Sequence, residues 1–214
     1  MTAAPMGLRE RKKLATRQLI AETARRLFAE RGFDGVTVAE IAAAADVSQK
    51  TVFNYLPTKA DLVYWQLEAF EAQILGAIAD REPGESALDA FRRFVLQQRG
   101  LLVEKDPERR EELLKLSRVI AESPALVERE QQIFGRFTAS LAKLLAEETG
   151  APAGDVASRV AADAMMGVHR ALVDYARRRI LEGAQPPGLA REVREQGERA
   201  LALLESGLRG YAVR

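Results

Sequence analysis

The chain of 214 residues has no cysteine, one histidine and one tryptophan, and only 6% of its residues are aromatic. Without cysteine there is no disulfide framework, no thiol nucleophile and no thiolate metal site. A lone histidine leaves metal chemistry poorly supplied, so neither a metal nor a cofactor is expected. Long hydrophobic runs are missing as well. A membrane span takes about 18 or more consecutive apolar residues, and every apolar stretch here is cut by a polar or charged residue within a few positions. The opening MTAAPMGLRERKK carries positive charge with no apolar core behind it, unlike a secretory signal. The chain therefore reads as soluble and cytoplasmic, with no membrane partner.

What is present is helical. Hydrophobic residues make up 47% of the chain, which excludes disorder, and they recur at three and four with no sustained alternation of period two. The pattern predicts an all-α protein of about nine helices, near 11–31, 38–45, 48–55, 59–80, 85–104, 107–121, 124–148, 154–183 and 188–212. Glu82-Pro-Gly84, Asp106-Pro107, Ser123-Pro124, Gly150-Ala-Pro152 and Gly183 to Gly188 mark the later breaks. The formal net charge is +1, yet residues 1–60 carry ten Lys and Arg against six Asp and Glu, so the basic surplus lies in the first quarter. Two modules are expected, residues 1–58 with a basic N-terminal arm and residues 59–214, joined by a continuous helix 59–80 with no Gly- or Ser-rich linker.

The first module carries a motif. Thr37-Val-Ala-Glu40 has the spacing of a capping box, in which the Thr hydroxyl accepts from the backbone three residues on while the Glu reaches back. Ser48 can cap the next short helix and Pro57 ends it. Two short helices around Asp46-Val47 make a helix-turn-helix, whose second member enters the DNA major groove. With Val52 and Leu56 facing inward, Gln49, Lys50, Thr51, Asn54 and Tyr55 are left for other faces. Lys suits guanine O6 and N7, Asn or Gln suits adenine, and a Thr methyl or an aromatic ring suits the thymine methyl.

Phe33-Asp-Gly-Val-Thr37-Val-Ala-Glu-Ile41-Ala, Asp46-Val-Ser48, Thr51-Val-Phe53-Asn-Tyr55-Leu and Pro57-Thr-Lys59-Ala-Asp-Leu62 resemble the DNA-binding domain of the TetR family of transcriptional repressors. Asp46 stands where that family commonly has Gly, a departure its short polar side chain tolerates. The resemblance implies that Thr37, Tyr55 and Lys59 meet phosphates, that Gln49, Lys50, Thr51 and Asn54 read bases, and that Arg9, Arg11, Lys12, Lys13 and Arg17 add backbone or minor-groove contacts. Plainer readings stand beside these: Thr37 and Thr58 as helix caps, Tyr55 as core, the basic residues as a solvated tail.

The resemblance further implies that the second module binds a small-molecule ligand and dimerises. Phe91, Phe94, Phe134, Phe137 and Met166 belong to the pool that could line an apolar site, with Trp65 off the stripe of its own helix. The stretch around Arg118 is similar to the ligand domain of regulators that sense acyl-coenzyme A, including those of mycofactocin type, and an inward Arg118 could pair with phosphate or carboxylate. Val160, Val168 and Leu172 on one helix, with Leu204 and Leu208 on the last, are candidates for a two-fold interface, with monomer core as the alternative. His169 reads as a core or interface histidine. The function expected is a homodimeric repressor of near-palindromic double-stranded operator DNA, released by an apolar or amphipathic ligand, an acyl-CoA being the sharper option. A constitutive regulator without ligand is one alternative. A helical enzyme is another, opposed by the absence of a Gly-rich phosphate loop and of a nucleophile motif.

Overall fold

The computed structural model describes residues 7–97 and 100–207. Ten α-helices and one 3-10 turn are present among them, with no strand. They are α1 Leu8–Arg31, α2 Val38–Ala44, α3 Gln49–Tyr55, α4 Asp61–Tyr64, α5 Leu67–Ala79, α6 Ala87–Val95, α7 Pro107–Glu122, α8 Pro124–Thr149, α9 Val156–Leu181 and α10 Pro186–Ser206, with the 3-10 turn at Gly100–Leu102. Two expectations change. The single helix 59–80 is divided into α4 and α5 by a tightened turn at Trp65 and Gln66, whose backbone stays right-handed helical, and the helix expected to reach residue 104 ends at Val95. Among the described residues no helix is long and apolar enough to cross a membrane, and no cluster of three or more His, Cys, Asp or Glu could hold a metal.

Contacts group the chain into two units, Met1–Trp65 with Glu111–Arg129, and Gln66–Arg110 with Glu130–Arg214. The boundary expected at 58/59 differs in that residues 111–129 associate with the N-terminal helices.

In the first unit α1 buries Ile20, Ala21, Ala24 and Phe28, a stripe at three and four, and stops at Gly32, whose φ of 77° suits a residue without Cβ. Phe28, Val36, Ile41, Val52, Leu56 and Leu62 are fully or almost fully buried, so α1 to α4 close one small core. Asp46, at φ 52°, makes the tight turn between α2 and α3. Side-chain interactions hold 111–129 to this core. Tyr64 Oη donates to the Leu126 carbonyl at 3.0 Å, and Arg129 pairs with Asp61 Oδ1 at 2.7 Å.

In the second unit α5 packs on α6, α6 on α9, and α9 on α10. A Cβ on Gly197 of α10 would lie 2.7 Å from Leu96 Cδ2 and 3.2 Å from Leu172 Cδ1, so glycine permits that close approach. Across α8 and α9 the buried carboxylate of Glu130 accepts twice from Arg177, at 2.7 and 2.8 Å.

Candidate nucleic-acid interface and ligand domain

The helix-turn-helix is held by its own side chains. Thr37 Oγ1 accepts from Glu40 N at 3.2 Å, while Glu40 Oε2 accepts from Thr37 N at 2.7 Å, completing the capping box. Arg31 ties Glu40 to the end of α1 through an ion pair and also donates to the Gly35 carbonyl. Hydrogen bonds from Thr37 and Arg31 bring the Glu40 carboxyl from the ordinary 4.5 down to about 2. Ser48 caps α3 by accepting from Thr51 N at 3.1 Å, and its hydroxyl meets that of Thr51 at 2.8 Å. Thr58 and Asp61 cap each other at the start of α4.

On this frame α3 divides cleanly. Val52 and Leu56 are buried, whereas Gln49, Lys50, Phe53 and Asn54 are exposed; Thr51 and Tyr55 are half-buried. At 100° per residue the four exposed positions span an arc of about 140°. Of the residues expected to read bases, Gln49, Lys50 and Asn54 therefore share one open face, and Thr51 is turned toward the Ser48 cap. Thr37 is exposed although its hydroxyl is engaged with Glu40.

Lys59, expected at a phosphate, is half-buried and has partners within its own unit. Its ammonium donates to the Phe33 carbonyl at 2.6 Å and lies 4.3 Å from the centroid of the Phe33 ring. Burial pushes its pKa below the ordinary lysine value, against the opposing pull of Asp34 and Glu40. The first helix begins about one turn earlier than expected, so Arg9 joins Arg11, Lys12, Lys13 and Arg17 on it. α1 starts at Leu8, and Arg9, Arg11, Lys12 and Lys13 stand exposed on its first turns.

In the second unit the ring of His169 stacks on Phe70 at 5.0 Å and meets Phe134 edge-on at 5.3 Å. Phe94 and Phe137 extend the cluster to 5.4 and 6.3 Å from Phe70. Five rings from α5, α6, α8 and α9 thus meet. Phe91 and Met166 are fully buried. Phe70 and His169 are not among the expected ligand residues; Phe70 follows Leu67 at three and precedes Ile74 at four, the signal of an inward face. The other two ligand candidates fall elsewhere, for Trp65 and Arg118 belong to the first unit, and Arg118 is exposed. An inward Arg118, on which the acyl-CoA option depended, is not what the structure has.

The candidate interface residues also separate. Val160 is 60% exposed and lies near Val156 at 74%, but Val168 and Leu172 are at most 8% exposed within the single chain. The latter two are buried within the single chain, Leu172 against Gly197 of α10. Leu204 is half-buried, and Leu208 lies outside the described residues.

Known proteins agree with this architecture. The family model described as "Bacterial regulatory proteins, tetR family" matches residues 20–64, and "MftR C-terminal domain" matches residues 85–209, more than half of the chain. The chain is 33% identical over 85 residues to the HTH-type transcriptional regulator TcmR of Streptomyces glaucescens, a match that spans 40% of this chain and 38% of that protein. It is 27% identical over 158 residues to the protein described as the mycofactocin biosynthesis transcriptional regulator MftR of Mycobacterium tuberculosis, with 74% and 78% covered. Among solved structures, NalD, the secondary repressor of the MexAB-OprM multidrug efflux pump in Pseudomonas aeruginosa, aligns with a TM-score of 0.53 at 21% identity, covering 87% of this chain and 97% of that one. At that identity the likeness shows the fold. The matched families and relatives are regulators of transcription rather than enzymes, and the chain belongs to the TetR family of bacterial transcriptional regulators, with a second domain of the MftR type.

Proposed function

We propose that the chain is a homodimeric, ligand-responsive repressor that binds a near-palindromic operator through α3 and releases it when a small apolar or amphipathic molecule occupies the second domain. The observation that carries this reading is the open face of Gln49, Lys50 and Asn54 on a capped helix-turn-helix within the family match. These side chains suit base edges in the major groove, and the exposed cations on the first turns of α1 suit phosphates. Thr37, exposed at the start of α2, and Tyr55, half-buried on α3, are assigned to phosphates as well, as the family resemblance implies.

Ligand response is supported by the ring cluster around Phe70, Phe134 and His169, in a domain of the same type as that of a regulator named for mycofactocin biosynthesis. Flat or chain-like apolar groups are the chemistry that aromatic side chains of this kind pack against.

The test uses a duplex selected from random DNA by the protein itself. Palmitoyl-CoA, palmitate, free coenzyme A and a panel of aromatic metabolites are titrated into the complex. A ligand of the proposed class lowers duplex affinity by about 5- to 150-fold, and the duplex weakens ligand binding by the same factor. Affinity that no compound shifts favours the constitutive regulator.

A further inference from the structure

Phe53 is 46% exposed, while every other Phe, Tyr and Trp among the described residues is buried or half-buried. A single exposed apolar side chain is ordinary on a protein surface, so exposure alone assigns nothing. The position does. On the wheel of α3, Phe53 falls about 40° from Gln49 and about 60° from Lys50, inside the arc that those residues and Asn54 define. The ring stands within the face whose neighbours are all hydrogen-bonding side chains, one turn along the helix from Gln49 and beside Asn54. No ring contact to it is found among the described residues, in contrast with Phe28 and Phe33, whose centroids lie 5.2 Å apart in the core beneath.

A phenyl ring in that place has no donor or acceptor for a phosphate or for the polar edge of a base. The one apolar group that the four bases present in the major groove is the C5-methyl of thymine, and aromatic side chains pack against it. Gln49 and Asn54 suit adenine, whose partner is thymine, so an apolar reader beside them is chemically consistent with one A·T-containing step. Resting on the operator reading above, we propose that Phe53 is a specificity-determining residue that recognises a thymine by its C5-methyl group in each half-site. Methyl recognition distinguishes thymine from cytosine and uracil, which hydrogen bonds from Gln49 or Asn54 to a neighbouring base do not.

The experiment uses the full chain and the duplex it selects from random DNA. Each thymine is replaced in turn by deoxyuridine, which removes the methyl and leaves base pairing intact. For the wild type, affinity is expected to fall about three- to fivefold at one thymine per half-site, the worth of one buried methyl group. Phe53→Ala, which folds because the ring is exposed, should bind the thymine duplex more weakly by at least that factor and bind the deoxyuridine duplex no worse. Phe53→Leu should retain part of the discrimination, and neither variant should change the salt dependence. If no single replacement affects the wild type, or if Phe53→Ala discriminates as well as the wild type does, the assignment is overturned. Failure to select any duplex would instead overturn the operator reading itself.

Discussion

The ammonium of Lys59 donates to the carbonyl of Phe33, 26 residues earlier, at 2.6 Å, and sits above the Phe33 ring. The start of α4 is thereby pinned to the turn between α1 and α2. Lys59→Met keeps the length of the stem but loses a charged hydrogen bond and a cation–π contact, so it should destabilise the protein by about 1 to 3 kcal/mol. With its ammonium engaged by Phe33, Lys59 should leave the salt dependence of duplex binding unchanged. Denaturant unfolding with binding at several salt concentrations checks both; a slope flattened by about one would show that the ammonium also reaches a phosphate.

Glu40 fixes the other side of the same turn. A carboxylate with a folded pKa below its unfolded value stabilises the native state at neutral pH, and that stabilisation is lost as pH falls through the window from 4.5 to about 2. Carbon-13 NMR should find the Glu40 carboxyl titrating near the lower limit. Arg31→Met should raise it toward the ordinary value and move acid unfolding to higher pH. An unshifted carboxyl in the wild type would contradict the network.

Much of this was legible in the sequence because the signals are local. Thr37 and Glu40, Ser48 and Thr51, and the Pro and Gly breaks act within four residues, and each is where spacing placed it. The division at Trp65 and Gln66 was not legible, since Val63, Leu67, Phe70 and Ile74 keep one apolar stripe through a tightened turn. Pairs such as Asp61–Arg129 and Glu130–Arg177 join residues 68 and 47 positions apart, and no local pattern encodes them. Apolar stripes also show that a face is covered without showing by what, which is why Val168 and Leu172 read like Val160.

That difference makes a paired test. Val160→Asp changes an exposed side chain, so the protomer should keep its fold while its dimer weakens, with a Tm lowered only by the lost association. Val168→Asp places a charge in the chain's own core and should destabilise the fold by several kcal/mol. Sedimentation and thermal unfolding of the two variants separate the roles. A Val160→Asp protein that remains as dimeric as the wild type would remove this part of α9 from the interface.

On the open face of α3, Lys50→Ala and Asn54→Ala should each cost about 1 to 3 kcal/mol on the selected duplex and relax preference at one position per half-site. Binding to unrelated duplexes should be little altered in the Asn54 variant, because a base contact carries sequence preference and a phosphate contact does not.

The most direct test of the central claim is selection of bound duplexes from a random pool by the wild-type protein. Two copies of α3 related by a two-fold axis predict an enriched sequence that is near-palindromic, with half-site centres about 10 base pairs apart or at a multiple of that repeat. Enrichment of an asymmetric site, or no enrichment above the input pool, would contradict an operator-binding dimer.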